Sequence, residues 1–320
     1  MKRFVLILSV LFAVLPTRAQ QDTLRILAIG NSFSQDAIEQ NLWELLDAAG
    51  IPSVIGNLYI GGCTLERHFR NSEGNIPDYR YRKVVGGVKT EYPDFTLEKG
   101  LSDEDWDVVT LQQASGVSGL YGSYQPFLDG LLAYVRARTR GDVRLMWHQT
   151  WAYSSDSDHP EFPNYGRDQQ KMYNAILEAS SRAVEEGGFD AVIPCGTAIQ
   201  NGRKTALGDS FNRDGYHLEL TYGRYTAACT WFEVLSGIRA VDNPWRPDSV
   251  APEAAFLCRL AAHLACLDPY RSLSVEERAA DLGSRLTLEE KQEMVPLPGR
   301  YRLLYGGNSA SLKSIEYICR

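Results

Sequence analysis

Short runs rich in β-branched and aliphatic residues alternate along this chain with longer stretches of helical periodicity, and that alternation restricts the fold more than any other feature. Strands are expected near residues 24–29, 53–60, 107–111, 143–147 and 191–193, and helices over 36–49, 126–138, 167–186, 222–236 and 252–266. Strands separated by helices pair in parallel, with the helices covering both faces of the sheet. The expected fold class is therefore α/β, a three-layer α/β/α sandwich around a mainly parallel sheet. Ligands in such folds bind beyond the carboxyl ends of the strands. Two long connections, 61–106 and 149–166, leave those same ends and are rich in Tyr, Pro, Asp and Gly, so they are expected to wall a binding site.

At the amino end Lys2 and Arg3 precede an apolar run from Phe4 to Leu15 and a Thr17-Arg18-Ala19 site. That is the layout of a cleavable signal peptide over residues 1–19. The run is shorter than the ~20 residues that a bilayer-spanning helix requires, and no later segment replaces it. No Cys follows the cleavage site to carry a lipid anchor, so a periplasmic or secreted protein is expected. The formal charge of −7, with no cluster of Lys and Arg, argues against nucleic acid as a partner. Six Cys fit neither a CxxC zinc site nor a dense disulfide framework. Cys258 and Cys266, on one expected helix, lie about 12 Å apart along its axis and are not expected to pair. Most of the cysteines read as buried single thiols. No His-x-x-x-His or His/carboxylate zinc spacing occurs, so no metal and no cofactor are expected.

Gly30-Asn31-Ser32-Phe33-Ser34 follows the first strand and precedes a helix. A Ser at such a turn exposes its hydroxyl while its own N–H points into the site as an oxyanion donor, although Ser or Asn there also serves as an ordinary helix cap. The sequence is not the G-x-S-x-G elbow, because Ser34 stands two residues after Ser32. Far downstream, Asp214-Gly215-Tyr216-His217 places a carboxylate three residues ahead of an imidazole. Asp214 can hold one ring nitrogen of His217 and leave the other to take a serine proton.

Together these motifs resemble blocks I and V of the SGNH (GDSL-like) hydrolase superfamily, with Asn31 in place of the usual Asp. The resemblance spans roughly residues 24 to 240 and implies a flavodoxin-like sheet and a catalytic Ser32–His217–Asp214 triad. It further implies an oxyanion hole that includes the Ser32 amide and the amide of Gly62, in Gly61-Gly62-Cys63-Thr64-Leu65, the stretch most similar to block II. The usual block III Gly-x-Asn-Asp is replaced by Leu111-Gln112-Gln113-Ala114-Ser115. A Gln amide can donate as Asn does. Adjacent side chains on an extended segment point to opposite sides, so Gln112 or Gln113, not both, is expected to face Ser32. The wording Gly-Asn-Ser-Phe-Ser, Leu-Gln-Gln-x-Ser, His-x-Thr-Trp-Ala-Tyr and Asp-Gly-x-His-Leu is similar to a secreted subgroup catalogued mainly as a domain of unknown function. Mechanism is implied more closely than substrate.

His148-Gln149-Thr150-Trp151-Ala152-Tyr153 follows the fourth expected strand, so Trp151 and Tyr153 are candidates for stacking on a sugar ring, against ordinary core packing. Asn31, His68 and His148 complete the candidate substrate contacts. Residues 271–320 are expected to form a helical appendage. Its Ser284-Arg285-Leu286-Thr287-Leu288-Glu289-Glu290-Lys291 resembles the opening segment of family 3 glycoside hydrolases, which implies association with a glycosidase. Ser274 and Thr287, each three residues before a Glu, also read as ordinary capping boxes. The whole describes residues 20–270 as a serine esterase removing small ester groups, most simply O-acetyl, from glycans. The alternatives are a methyl esterase of uronic acids, favoured by basic rim residues such as Arg67, Arg70 or Arg203; a lipase or thioesterase, favoured by an apolar groove; and a non-catalytic carbohydrate-binding protein.

Overall fold

Strand β1 (Leu24–Gly30) is buried on both faces, because Ile26 and Ala28 join the core on one side of the sheet while Leu27 and Ile29 join the core on the other. A strand with two apolar faces belongs at the centre of a covered sheet. β1 accordingly pairs in parallel with β2 (Ser53–Tyr59) on one side and β5 (Val108–Leu111) on the other. β6 (Arg144–His148) and β7 (Ala191–Ile193) continue the parallel sheet beyond β5. The computed structural model describes residues 22–274, residue 277 and the backbone of 299–305 and 313–319, so the signal segment expected at 1–19 lies outside the described residues.

The sheet is mostly parallel and flanked by helices, the α/β architecture expected from the alternation. Its order is β4-β3-β2-β1-β5-β6-β7. The chain runs from β1 to one side and returns to the other, so the strand order reverses between β1 and β5. That is where a doubly wound sheet opens a crevice at its carboxyl edge.

The expected connection at 61–106 is not a loop. It carries helix α3 (Leu65–Gly74), an antiparallel hairpin of β3 (Tyr79–Val85) and β4 (Val88–Phe95) that extends the sheet beyond β2, and helix α4 (Leu97–Leu101). Charged residues interrupt β3, and most of β4 is exposed, which erases the apolar periodicity. The local signals were present: Gly86-Gly87 turns the hairpin, and the hydroxyls of Thr64 and Thr96 accept from Arg67 N and Lys99 N, each at 3.2 Å. The helix expected over 36–49 is likewise two, α1 (Ser32–Ile38) and α2 (Leu42–Ala48), separated by Asn41 at φ 69°.

Helices α5 (Phe127–Arg136), α6 (Gln169–Gly187), α8 (Tyr222–Ser236) and α9 (Pro252–Leu267) fall on expected stretches, whereas α7 (Cys195–Arg203) does not. All but the last residue of α7 is buried, so it shows no amphipathic stripe. Among the described residues no helix is long and apolar enough to cross a membrane. Cys63, Cys195, Cys229, Cys258 and Cys266 are free thiols, and burial pushes Cys63 and Cys258 up to about 12.

The expected appendage lies partly outside the described residues, the segment similar to family 3 glycoside hydrolases included. Part of the remainder is not helical. β8 (Gly299–Tyr305) and β9 (Lys313–Cys319) pair antiparallel with Tyr301 opposite Tyr317 and Leu303 opposite Ile315. The aromatic and β-branched residues of these two stretches favour strands over helix.

Two residues expected at the substrate lie in the core instead. His68 and His148 are fully buried; His68 Nδ1 meets the Tyr79 hydroxyl at 2.9 Å, and His148 Nδ1 meets Gln112 Oε1 at 2.7 Å. Neither Nε2 has a partner among the described residues. Burial pushes both imidazoles down to about 3, and the Arg67 guanidinium adds to the effect at His68. Both are therefore neutral in the folded state while the unfolded chain binds a proton at each below an ordinary histidine value of about 6.5. Stability from these sites is complete above that value and is lost as pH falls toward 3. Unfolding near pH 5 should take up about two protons at these sites, which denaturant melts across pH 7 to 4 would read. His148→Gln should remove about one of them. A stability unchanged between pH 6.5 and 4.5 would contradict this account.

Candidate active site

The turn after β1 is shaped by contacts that leave little freedom. A Cβ at Gly30 would lie 2.5 Å from Ser34 Oγ, so only glycine fits there. Asn31 is the N-cap of α1: its Oδ1 accepts from Phe33 N at 3.0 Å, and its Nδ2 donates to the Cys63 carbonyl at 3.0 Å. One buried amide thus ties the Ser32 turn to the turn carrying Gly62. Asn31 reaches the edge of the cavity but is 1% exposed, so its main part is to hold the two turns together. The backbone N–H groups of Ser32 and Gly62 have no hydrogen-bond acceptor among the described residues. Gly62 sits at φ 61°, with open space where a side chain would be.

The segment bearing Asp214 and His217 is a closed turn. Arg213 N donates to the His217 carbonyl at 2.9 Å, and Asn212 bridges Leu218. Within it Asp214 Oδ2 meets His217 Nδ1 at 2.7 Å, while Oδ1 accepts from His217 N at 2.8 Å and Tyr216 N at 3.3 Å. Burial pushes the Asp214 carboxyl up, but the hydrogen bonds from His217 and Tyr216 outweigh it and the net shift is downward. With Nδ1 engaged, His217 Nε2 is left without a partner among the described residues. Ser32 and His217 line the same cavity, and no hydrogen bond joins their side chains.

Asp36, one turn along α1 from Ser32, holds that segment in place. Its buried carboxylate accepts from Leu218 N at 2.8 Å, from Arg213 Nη1 at 3.1 Å and from Arg224 Nε at 2.9 Å. Trp151 supports both halves from beneath: it stacks on Phe33 with ring centroids 4.2 Å apart, and its Nε1 donates to the Tyr216 carbonyl at 2.8 Å.

Several expected contacts do not reach the cavity. Gln112 Nε2 donates to Asn31 Oδ1 at 2.8 Å, and its Oε1 pairs with His148. Gln113 Oε1 accepts from Leu65 N and Ala114 N, and its Nε2 donates to Ser123. Both amides are buried and neither lines the cavity, so neither stands as the expected oxyanion donor. Trp151 and Tyr153 are fully buried, with the Tyr153 hydroxyl 3.0 Å from Ser115 Oγ, and they offer no face to a sugar. Each of these side chains finds its partners inside the protein, where an unsatisfied polar atom is costly.

The cavity has a volume of about 270 Å³, and its walls include Tyr59, Gly62, Ala114, Ser115, His159, Glu161, Tyr216 and His217. His159 and Glu161 belong to the expected wall at 149–166 but were not singled out by any motif. The ring of His159 packs edge-on against Tyr216 with centroids 4.6 Å apart. Burial lowers its pKa, and repulsion from His217 adds to this while Glu161 and Asp214 oppose it. Among the described residues no group of His, Cys, Asp and Glu is arranged to hold a metal ion.

A family model described as "Domain of unknown function (DUF4886)" matches residues 25–265. A crystal structure of a DUF4886 family protein from Bacteroides uniformis is similar at 50% identity and a TM-score of 0.79, covering 80% of this chain and 99% of that one. A catalytic mutant of an acetylxylan esterase from Geobacillus stearothermophilus is similar at 13% identity and a TM-score of 0.42, covering 67% of this chain and 94% of that one. An alpha/beta hydrolase enzyme from the metagenome of Lake Arreo is similar at 11% identity and a TM-score of 0.46, covering 67% and 95%. No curated protein matches the chain.

Removing the Asp36 carboxylate would leave Arg213 and Arg224 without their shared counter-ion and Leu218 N–H without an acceptor. Breaking a buried pair in this way costs about 3–5 kcal/mol. Asp36→Ala should lose that much stability in urea unfolding. A loss below about 1 kcal/mol, the scale of a surface ion pair, would mean that Asp36 does not hold the segment.

Proposed function

The chain belongs to the DUF4886 family, and from that premise we propose that it is a serine ester hydrolase of the SGNH type. The observation that carries this reading is that Ser32, Gly62 and His217 line one cavity while Asp214 engages His217 Nδ1. In this reading the Asp214 carboxylate accepts the Nδ1 proton of the imidazole, so Nε2 is the basic nitrogen.

In the proposed reaction Ser32 Oγ attacks the ester carbonyl and its proton passes to His217 Nε2. The carbonyl oxygen becomes an oxyanion that the Ser32 and Gly62 N–H groups stabilise. Collapse of the tetrahedral intermediate expels the alcohol, which takes the proton from His217 and leaves an acyl group on Ser32. Water then gives a proton to His217 Nε2 as it attacks the acyl carbonyl, and Ser32 recovers a proton as the acid departs.

A cavity of about 270 Å³ suits a small acyl group better than a long one. Its lining includes no Lys or Arg, while Arg67 pairs with Asp78, Arg70 with Glu66 and Arg203 with Asp209. This supports O-acetyl removal from a carbohydrate over hydrolysis of a uronic acid methyl ester, whose carboxylate product a basic wall would hold, and the small volume gives little support to a lipase. Residues 20–270 constitute the hydrolase in this reading, acting after secretion, and the resemblance of the tail to family 3 glycoside hydrolases makes a glycosidase the proposed companion.

Ser32→Ala should lower hydrolysis of p-nitrophenyl acetate by on the order of 10³-fold or more, with an unchanged fold by circular dichroism. Asp214→Asn should lower kcat by about 10²-fold or more, because the amide favours the wrong imidazole tautomer. A Ser32→Ala protein as active as the wild type would overturn the reading. A wild type that binds glycans but hydrolyses no ester would favour the non-catalytic alternative.

A further inference from the structure

The proton that His217 returns must reach the leaving oxygen, so the alcohol portion of the ester lies on the His217 side of the cavity. Tyr216 and His159 stand near His217, and Glu161, two residues from His159, lines the same cavity. The Tyr216 ring is 4.0 Å from the His217 ring, tilted against it, and 4.6 Å from the His159 ring in an edge contact, by centroids. His159 Nδ1 accepts from Glu161 N at 3.2 Å, which puts the ring proton on Nε2 as a donor without a partner among the described residues.

Glu161 is an exposed residue of the cavity lining. Its carboxylate has no hydrogen-bond or ion-pair partner among the described residues, although its backbone is firmly held. Phe162, the next residue, is fully buried, and Asn164 Nδ2 and the Tyr165 hydroxyl both donate to the Gly116 carbonyl, at 3.3 and 3.1 Å. The side chain lies over Gly116 so closely that a Cβ there would sit 1.8 Å from Glu161 Oε2. An exposed carboxylate at the cavity accepts hydrogen bonds from hydroxyl groups and repels a second anion.

We propose that Glu161, with the His159 N–H and the ring of Tyr216, forms an alcohol subsite that selects an uncharged polyol, such as a neutral sugar ring, over an anionic one. The assignment rests on the serine esterase reading of Ser32 and His217. Glu161 accepts from one or two ring hydroxyls beside the ester, His159 donates to a ring or ester oxygen, and Tyr216 gives an apolar face to the ring carbons.

The test uses the full chain and three acetate esters: p-nitrophenyl acetate, an O-acetylated methyl glucopyranoside, and its glucuronide counterpart, which differs by one carboxylate. The wild type should prefer the neutral sugar to the glucuronide by about tenfold or more in kcat/KM, the scale of one charged hydrogen bond. Glu161→Ala should lower the ratio of kcat/KM for the neutral sugar to that for p-nitrophenyl acetate by about tenfold, mainly through KM. Glu161→Gln, which keeps the shape and removes the charge, should bring the neutral and anionic sugars to within about twofold of each other. Equal wild-type rates on the two sugars, a Glu161→Gln protein with the wild-type preference, or parallel losses on all three esters would each overturn the subsite. Failure of the wild type to hydrolyse p-nitrophenyl acetate would instead overturn the esterase reading, and the subsite with it.

Discussion

A single buried carboxylate joins the two halves of the candidate site. Asp36 stands on the helix that begins at Ser32, and it accepts from Leu218 N at a sequence separation of 182 residues. The turn carrying His217 has little regular structure of its own: one bridge and a few local hydrogen bonds close it, and a strand end does not support it from below. Its position relative to Ser32 therefore depends on what it is fastened to. Asp36 provides that fastening through one backbone amide and two guanidinium groups, and Trp151 supplies the apolar half by touching Phe33 and the Tyr216 carbonyl. A charge this deep is tolerated only because its acceptor positions are filled.

A second buried network lies under the turn at Ser32 and occupies the side-chain amide of Gln112. His148, Gln112, Asn31 and the Cys63 carbonyl form a continuous chain of hydrogen bonds. The longer Gln side chain spans from β5 to the Asn31 cap, and its amide is consumed there. The candidate oxyanion donors left facing the cavity are backbone amides, whose directions are set by the turns themselves. Such donors require no reorganisation as charge develops.

Much of this was legible locally. The central strands showed as apolar runs because β1, β2, β5 and β6 are covered on both faces, and Asp214 with His217 showed as a spaced pair because both sit in one turn. The hairpin of β3 and β4 was not legible, since charged residues interrupt β3 and nearly all of β4 is exposed, which leaves no apolar alternation. Helix α7 was missed for the opposite reason, being buried nearly all round. His159 and Glu161 carried no motif, because their importance comes from the cavity into which a loop turns them.

The sequence by itself determined the α/β class, the placement of Ser32 at the end of the first strand, and the pairing of Asp214 with His217. Each of these depends on period or on spacing within a few residues, which a linear string records. Only the tertiary structure decided which polar side chains meet the cavity. Gln112, Gln113, Trp151 and Tyr153 turned inward because partners from other segments, among them Asn31, Leu65, Ser123, Tyr216 and Ser115, satisfy them there, and His148 is held inside through Nδ1 by Gln112. Glu161 found no such partner among the described residues and stayed at the cavity. A side chain's facing is settled by where its hydrogen bonds can be completed, and that is a property of the packed chain rather than of its neighbours in sequence.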